Sequence, residues 1–432
     1  MRNGGSGSSD EEIWIELFPS EPYRDKTLRT LKSRLLVLVQ EFLIIEELRD
    51  NQAEEAVNLL DALRKRELTP LVNTGLKSAK RKIDRELDRS SSYFYNLYQY
   101  ESSAYYLNKT EIKRLNRKIR DELNLDEIIQ NLDLFYAGEK LKYHCAILGW
   151  EKLISPKDAA YDISDLLKNV DQNPKFHLPH IQIYKCIYET LTTPDEEKPF
   201  LKLKELISSS IDLFPLSEAK EILDAANNYC LRKINKGEIH YLDELHSLYQ
   251  MGLNSGVLLF NDQISPWTFK NIVGVSLRLK RFDWTKTFID TYADHLESDL
   301  KESVKALSLA QLNYYMQNYE EVINQLRNVE FKEFALKVNA EVTLIATLYE
   351  LDEFDVLSDV LHNFSKFLNR IKNVNPEQKG LYKNLIKYVA RLIKPMGTQE
   401  LRDLKKSIKN TQGLASKSWL LEKVDELLGV NA

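Results

Sequence analysis

Helix breakers are scarce in this chain. Its 432 residues hold 14 glycines and 12 prolines, both below the usual ~7% and ~5% of globular proteins. With Leu, Lys, Glu and Asn frequent, that scarcity leaves helix as the dominant element. Cysteine is scarcer still: Cys145, Cys186 and Cys230 are odd in number, far apart and set in apolar helical patterns, where a free thiol behaves as a small buried hydrophobe. No disulfide framework is expected, and a cytoplasmic location fits such thiols. Long apolar runs are missing too. The longest, Leu35 to Val39, stops at Gln40 and Glu41, far short of the ~20 residues of a membrane span, and the N-terminus has no apolar signal core. Nor is there an excess of charge of one sign: the net charge is −5 and the isoelectric point about 6.0, an ordinary surface that calls for no nucleic acid globally.

What is present is apolar periodicity. The length allows two or three domains or one elongated solenoid, because a single core stops growing near ~250 to 300 residues. Residues 1–10, rich in Gly and Ser, read as a disordered tail. From Asp25 to Leu48, Leu28, Leu31, Leu35, Leu36, Val39, Phe42, Leu43 and Ile45 recur at three- and four-residue steps, which predicts a helix with one buried face. A second helix is expected over 52–66, with a third carrying Leu76, Ile83 and Leu87, joined by links short enough to make antiparallel hairpins. The expected organisation is an N-terminal helical region over 11–150, helical hairpins over 151–260, a repeat region over 261–395 and a C-terminal helical cap over 396–432.

One segment stands out by charge. Residues 77–120 contain twelve Lys/Arg against five Asp/Glu, net +7, around a cluster of Tyr93, Phe94, Tyr95, Tyr98, Tyr100, Tyr105 and Tyr106. Lys/Arg neutralise phosphates and aromatic rings stack on unpaired bases. A nucleic-acid patch of Lys113, Arg114, Arg117, Lys118, Tyr105 and Tyr106 is therefore the second functional expectation. The alternative is structural: the cations as the wet face of a helix whose apolar face is Ile112, Leu115, Ile119 and Leu123, the tyrosines as core.

The C-terminal half repeats itself. Phe282-x-x-Thr285-x-x-x-Ile289-x-x-Tyr292 is followed by Tyr319-x-x-Val322-x-x-x-Leu326-x-x-Val329 and by Phe354-x-x-Leu357-x-x-x-Leu361-x-x-Phe364, anchors 37 and 35 residues apart. Another amphipathic helix precedes each anchor, carrying Ile272, Val273 and Leu277, then Leu309, Ala310 and Tyr314, then Leu344, Ile345 and Tyr349. Two helices per unit at a 35-residue period is the plan of helical-repeat proteins. A weaker unit carrying Tyr229, Leu231, Leu242, Leu245 and Tyr249 precedes them.

The stretch from Leu309 to Val322 resembles the tetratricopeptide repeat, with its aromatic pair Tyr314-Tyr315, a polar turn and Tyr319. It departs from the pattern at Ala310, Val322 and Phe334, where the family has Gly, Ala and Pro. The likeness covers about 266–368. It implies an all-α fold in which hairpins stack as a right-handed α-solenoid, the N-terminal half being a helical bundle or continued solenoid. Phe18-Pro19-x-Glu21-Pro22-Tyr23 and the stretch from Ser265 to Val273 also resemble a bacterial family of long all-helical proteins, a likeness that implies no activity.

Such a solenoid holds a peptide or partner helix on a concave face lined by the first helix of each unit. Here that face is expected to carry Trp267, Lys270, Arg278, Gln311, Tyr315, Asn339 and Glu350. Lys270 matches the Lys of the family's carboxylate clamp, but Gly274 stands where its Asn belongs, so no clamp is expected. The opposing expectation is that the aromatics only pack between helices, or that the N-terminal half covers the groove.

Catalytic constellations are absent from the sequence. His177-x-x-His180 is the one tight histidine pair, with only Asp171 as a further ligand type nearby, too few for zinc. His144 and Cys145 are adjacent, about 100° apart on a helix, and do not face each other. Gly252 to Gly256 lacks the Lys-Ser/Thr of a phosphate loop and follows no strand. We therefore expect a non-catalytic scaffold with no cofactor and no metal, and an unknown protein or peptide as its partner. Its oligomeric state is left open, and an enzyme assembled from dispersed residues is the third reading.

Overall fold

The computed structural model describes residues 9–115, 123–151, 162–372 and 374–429. The protein is all-α: twenty α-helices account for nearly all regular structure among the described residues, with one two-stranded ribbon. None of these helices is long and apolar enough to cross a membrane. The chain divides into two compact units, Met1–Glu218 and Ala219–Ala432. That division falls inside helix α10 (Leu216–Asn235), whereas the expected boundaries near 150, 260 and 395 fall at the end of α6 (Leu125–Glu151), in the ribbon and between α18 (Pro376–Leu392) and α19 (Thr398–Asn410).

In the first unit, α1 (Asp10–Leu17) starts at a capping box in which Ser9 and Glu12 satisfy each other's backbone N–H, the reciprocal arrangement that fixes a helix start. Trp14 is 1% exposed; its indole N–H donates to the Glu21 carbonyl at 3.0 Å, and Phe18 and Tyr23 lie against its ring. This folds α1 onto the start of α2 (Asp25–Asp50). Helix α3 (Gln52–Lys65) begins at Asn51, whose side chain caps Glu54 N–H, and pairs with α4 (Thr69–Arg85). Ala53, Val57 and Ile83 form their shared core, with Tyr93, Leu97 and Tyr100 of α5 (Ser91–Leu115) packed against it. Helices α5, α6 (Leu125–Glu151), α8 (Pro179–Thr192) and α9 (Lys198–Ser210) then pack in sequence order.

The expectation for α2 is corrected. The helix is where the periodicity puts it, but its apolar face is not buried: Leu28 alone is, and every residue from 32 to 47 is exposed. The physical reason lies in the pattern. Leu36, Val37, Leu43 and Ile44 fall outside the stripe made by Leu28, Leu35 and Phe42, so between 35 and 45 the helix is apolar on every side and no one neighbouring helix could cover it.

The second unit contains three consecutive hairpins, α12 (Pro266–Arg278) with α13 (Phe282–Tyr292), α14 (Ser298–Tyr315) with α15 (Tyr319–Arg327), and α16 (Phe334–Glu350) with α17 (Phe354–Arg370). Each closes through a three-residue turn whose central residue is left-handed although not glycine: Lys280 at φ 57°, Gln317 at 62° and Asp352 at 56°. In each, the central N–H and the next one reach back to carbonyls three and five residues earlier, as in Lys280 to Leu277 and Arg281 to Ser276. This is the Schellman closure that satisfies carbonyls left over at a helix end. Helix α12 packs on α14, and α14 on α16. Helices α18 (Pro376–Leu392), α19 (Thr398–Asn410) and α20 (Lys417–Leu427) finish the unit, and Leu385, Leu404 and Val424 share a core with Ile345 and Phe364. Ahead of the hairpins, the ribbon pairs Leu259 with Ile264 and Phe260 with Gln263. Asn261 and Asp262, both at positive φ, make the two-residue turn that matches strand twist.

Candidate functional site

A cavity of about 950 Å³ opens in the second unit. Helix α12 contributes Lys270, Gly274 and Arg278 to it, spaced i, i+4, i+8 so that they share one face. Gln311 and Tyr315 come from α14 by the same spacing, and Asn339, Thr343 and Glu350 from α16. Six of the seven residues expected to line the groove thus meet in one cavity. Trp267, the seventh, stands one turn before Lys270 and is 49% exposed, its ring 5.2 Å below the Lys270 ammonium.

The two sides of the cavity differ electrically. On the α12 side, Lys270 and Arg278 make no ion pair among the described residues, and desolvation alone pulls the Lys270 pKa below that of a free lysine. Burial raises the Tyr315 phenol pKa even though Arg278 pulls it the other way, which places the guanidinium near that ring. On the α16 side, Glu350 gathers donors: Tyr314 hydroxyl and Trp419 indole N–H both at 3.3 Å, and the Lys423 ammonium at 2.8 Å. Lys423 also reaches Glu426 at 2.9 Å. Burial works against the Lys423 charge, but the hydrogen bonds and charges of Glu350 and Glu426 outweigh it and hold its pKa above the usual lysine value.

Trp419, Glu422, Lys423 and Glu426 belong to α20, which the sequence placed in a cap with no role in the groove. No local signal ties α20 to α16, since the partners stand 69 and 73 residues apart. Gly274 is the second addition. It sits inside a helix, where glycine costs about 1 kcal/mol relative to alanine, and a Cβ added there would meet nothing within 4 Å. Packing within the chain therefore gives no reason for glycine at this position.

The second candidate patch is only partly described. Lys113 and Arg114 fall on the backbone of α5, but their side chains, and all of Arg117 and Lys118, lie outside the described residues. Tyr106 is 53% exposed, with the Arg64 guanidinium 5.4 Å from its ring, and Tyr105 packs edge-on to it. The rest of the aromatic cluster contributes to packing: Phe94 stacks on His180 at 4.4 Å, and Tyr95 meets Phe135 at 5.0 Å.

Cys145, Cys186 and His180 are buried among packed side chains. The Cys145 thiol donates to the Tyr184 carbonyl at 3.3 Å, and burial pushes its pKa up to about 12; Cys186 is pushed up to about 11. Thiols in that range are not nucleophiles at neutral pH. His180 is buried, and desolvation lowers its pKa to about 4 despite a hydrogen bond with the Leu134 carbonyl. His177 follows a single 3-10 turn ahead of α8. Among the described residues, no group of three or more His, Cys, Asp or Glu side chains is placed to hold a metal ion. No protein-family model, curated protein or solved structure matches the chain.

Proposed function

We propose that the second unit is a stack of tetratricopeptide-like hairpins, a right-handed α-solenoid, and that the chain is a non-catalytic cytoplasmic scaffold holding an extended peptide segment of a protein partner in the cavity between α12 and α20. The observation that carries this reading is the convergence of Lys270, Arg278, Gln311, Tyr315, Asn339 and Glu350, residues from three helices up to 80 positions apart, on one cavity. Support for a repeat comes from the three like turns at Lys280, Gln317 and Asp352, spaced as the sequence anchors are, and from the packing of α12 on α14 on α16.

The chemistry of the lining specifies the segment. Lys270 and Arg278, lacking carboxylate partners, suit an acidic side chain or a terminal carboxylate, because a charge-assisted hydrogen bond is worth roughly twice a neutral one. Gln311 and Asn339 offer amides to a peptide backbone. Gly274 leaves room for that backbone to approach α12, a use of glycine that compensates for its cost in a helix.

The test is a binding screen of the purified chain against a pool of extended peptides bearing acidic side chains or free C-termini. Peptides with a carboxylate are expected to bind, and Lys270→Glu with Arg278→Glu to weaken them at least tenfold while the circular dichroism spectrum stays the same. Equal binding by that double variant, or turnover of a substrate by the wild-type chain, overturns the reading.

A further inference from the structure

Helix α2 is the feature that the groove does not use. Its 26 residues span roughly 39 Å at 1.5 Å per residue. Only its ends are held, the first by α1 around Trp14 and the last by the turn into α3. Between them Leu35, Leu36, Val37, Leu38, Val39, Phe42, Leu43, Ile44 and Ile45 are each 43–67% exposed. A helix apolar on all sides is ordinarily buried.

We infer that α2 is a self-association element, in which two copies of the chain pair their α2 helices antiparallel about a two-fold axis near Gln40. Leu31, Leu35, Leu38, Phe42 and Ile45 follow one another at steps of 4, 3, 4 and 3, the a/d spacing of a coiled-coil seam, while Leu28, three residues earlier, is already buried within its own chain. An antiparallel pair centred on Gln40 sets Leu35 against the second copy's Ile45 and Leu38 against its Phe42, an unbroken seam from 35 to 45 that ends where Leu31 meets Arg49.

Charge chooses the direction. Positions 24–34 carry Arg24, Lys26, Arg29, Lys32 and Arg34 against Asp25 alone, while positions 41–50 carry Glu41, Glu46, Glu47 and Asp50 against Arg49 alone. Antiparallel pairing lays each basic end along the other copy's acidic end and brings Lys32, which already pairs with Asp10 of its own chain, opposite Glu46. Parallel pairing would set basic on basic and acidic on acidic along the whole length and bring Glu41 beside Glu46 twice, like charges at the flanking positions that decide coiled-coil orientation. The antiparallel pair keeps a single such contact, between the two Glu41 side chains beside the axis.

Nine half-exposed large side chains at on the order of 100 Å² each offer roughly 900 Å² per copy, but the seam residues Leu35, Leu38, Phe42 and Ile45 account for only roughly 400 Å², below the roughly 800 Å² per partner of a standard interface, so covering the rest takes a second pair. A two-fold pair also uses the same patch twice, as closed dimers do. Leu36, Val37, Leu43 and Ile44 fall away from this seam and offer a surface on which two pairs can meet as a tetramer. A membrane surface fits less well. Interfacial helices have one apolar and one basic face, whereas α2 divides its charge along its length. Its apolar block of 11 residues, 35–45, is also too short to span a bilayer.

Sedimentation of the full-length chain tests the inference. A mass of two or four chains is expected, falling to one for Leu38→Glu with Phe42→Glu, both at exposed positions where the fold of the single chain is not at stake. The dissociation constant should rise at least a hundredfold. Lys32→Glu and Glu46→Lys should each weaken the pair about tenfold, and the double variant should restore it. A wild-type chain that sediments as one copy at micromolar concentration overturns the inference. So does one that stays single and floats with vesicles of phosphatidylcholine and phosphatidylserine, which would assign α2 to a lipid surface. Self-association that survives the Leu38/Phe42 change also overturns it.

Discussion

Helix α2 and helix α14 are each about half apolar and meet opposite fates. In α14, Val304, Leu307 and Leu312 are buried because α12, α15 and α16 each bring a matching face. In α2 the same residue types stand in solvent: every residue from 32 to 47 is exposed. Periodicity therefore establishes that a segment is helical and leaves open which surface covers it. Helix α14 is covered because three neighbours bring faces to it, whereas α2, apolar all round between 35 and 45, stays exposed from residue 32 to 47 among the described residues.

The comparison breaks first if burial does not separate the two helices energetically. Leu307→Ala, at a fully buried side chain, should cost about 2–5 kcal/mol through lost contacts and a residual cavity. Urea unfolding of the variant and the parent measures it, and a loss below about 1 kcal/mol would mean the α14 core is far looser than its packing.

Acid sharpens the same contrast inside the first unit, where α8, unlike α2, is covered closely enough to hold a neutral imidazole. His180 has a folded pKa near 4 against about 6.5 unfolded, so the unfolded chain takes up the proton first. Its contribution is complete above pH 6.5 and is lost as pH falls toward 4, by up to about 3 kcal/mol at 1.36 kcal/mol per unit. Urea midpoints between pH 7 and 4 should drop more steeply for the parent than for His180→Gln. Parallel curves would place the proton elsewhere.

Two smaller effects test where the sequence is not optimised for its own fold. Gly274→Ala should raise stability by about 0.5–1 kcal/mol, since the added methyl meets open space, and should weaken peptide binding if the groove is used as proposed. Smallest is Leu38→Ala in the dissociated chain, within about 0.5 kcal/mol of the parent because an exposed side chain loses little when truncated. Thermal unfolding at nanomolar concentration, where copies separate, gives that value.

Much of this molecule was legible from residue order, for reasons that the details make plain. The starts of α12 and α18 were readable from Pro266 and Pro376 at first helical positions, where the missing N–H is no loss. The three hairpins were readable from spacing, and with them six residues that line one cavity, because residues four apart on one helix share a face whatever the neighbours do. The turns were not. Lys280, Gln317 and Asp352 adopt a conformation ordinarily marked by glycine, and only the packing of the flanking helices requires it there. The ribbon at 259–264 escaped because two residues per strand give no alternation to detect, although Asn261-Asp262 was a usable turn signal. The contribution of α20 was invisible for a different reason: Trp419 and Lys423 reach Glu350 across a sequence distance that no local pattern spans.

That last contact also fixes a length. Glu350 is held by donors from α14 on one side and from α20 on the other, so the chain between residues 350 and 423 is measured to return one lysine to one carboxylate. Inserting another helix pair into that interval would carry the Lys423 ammonium away and leave Glu350 without its cation. The spacing between the third hairpin and the last helix is therefore tied to one ion pair, and a change of chain length in that interval would show as its loss.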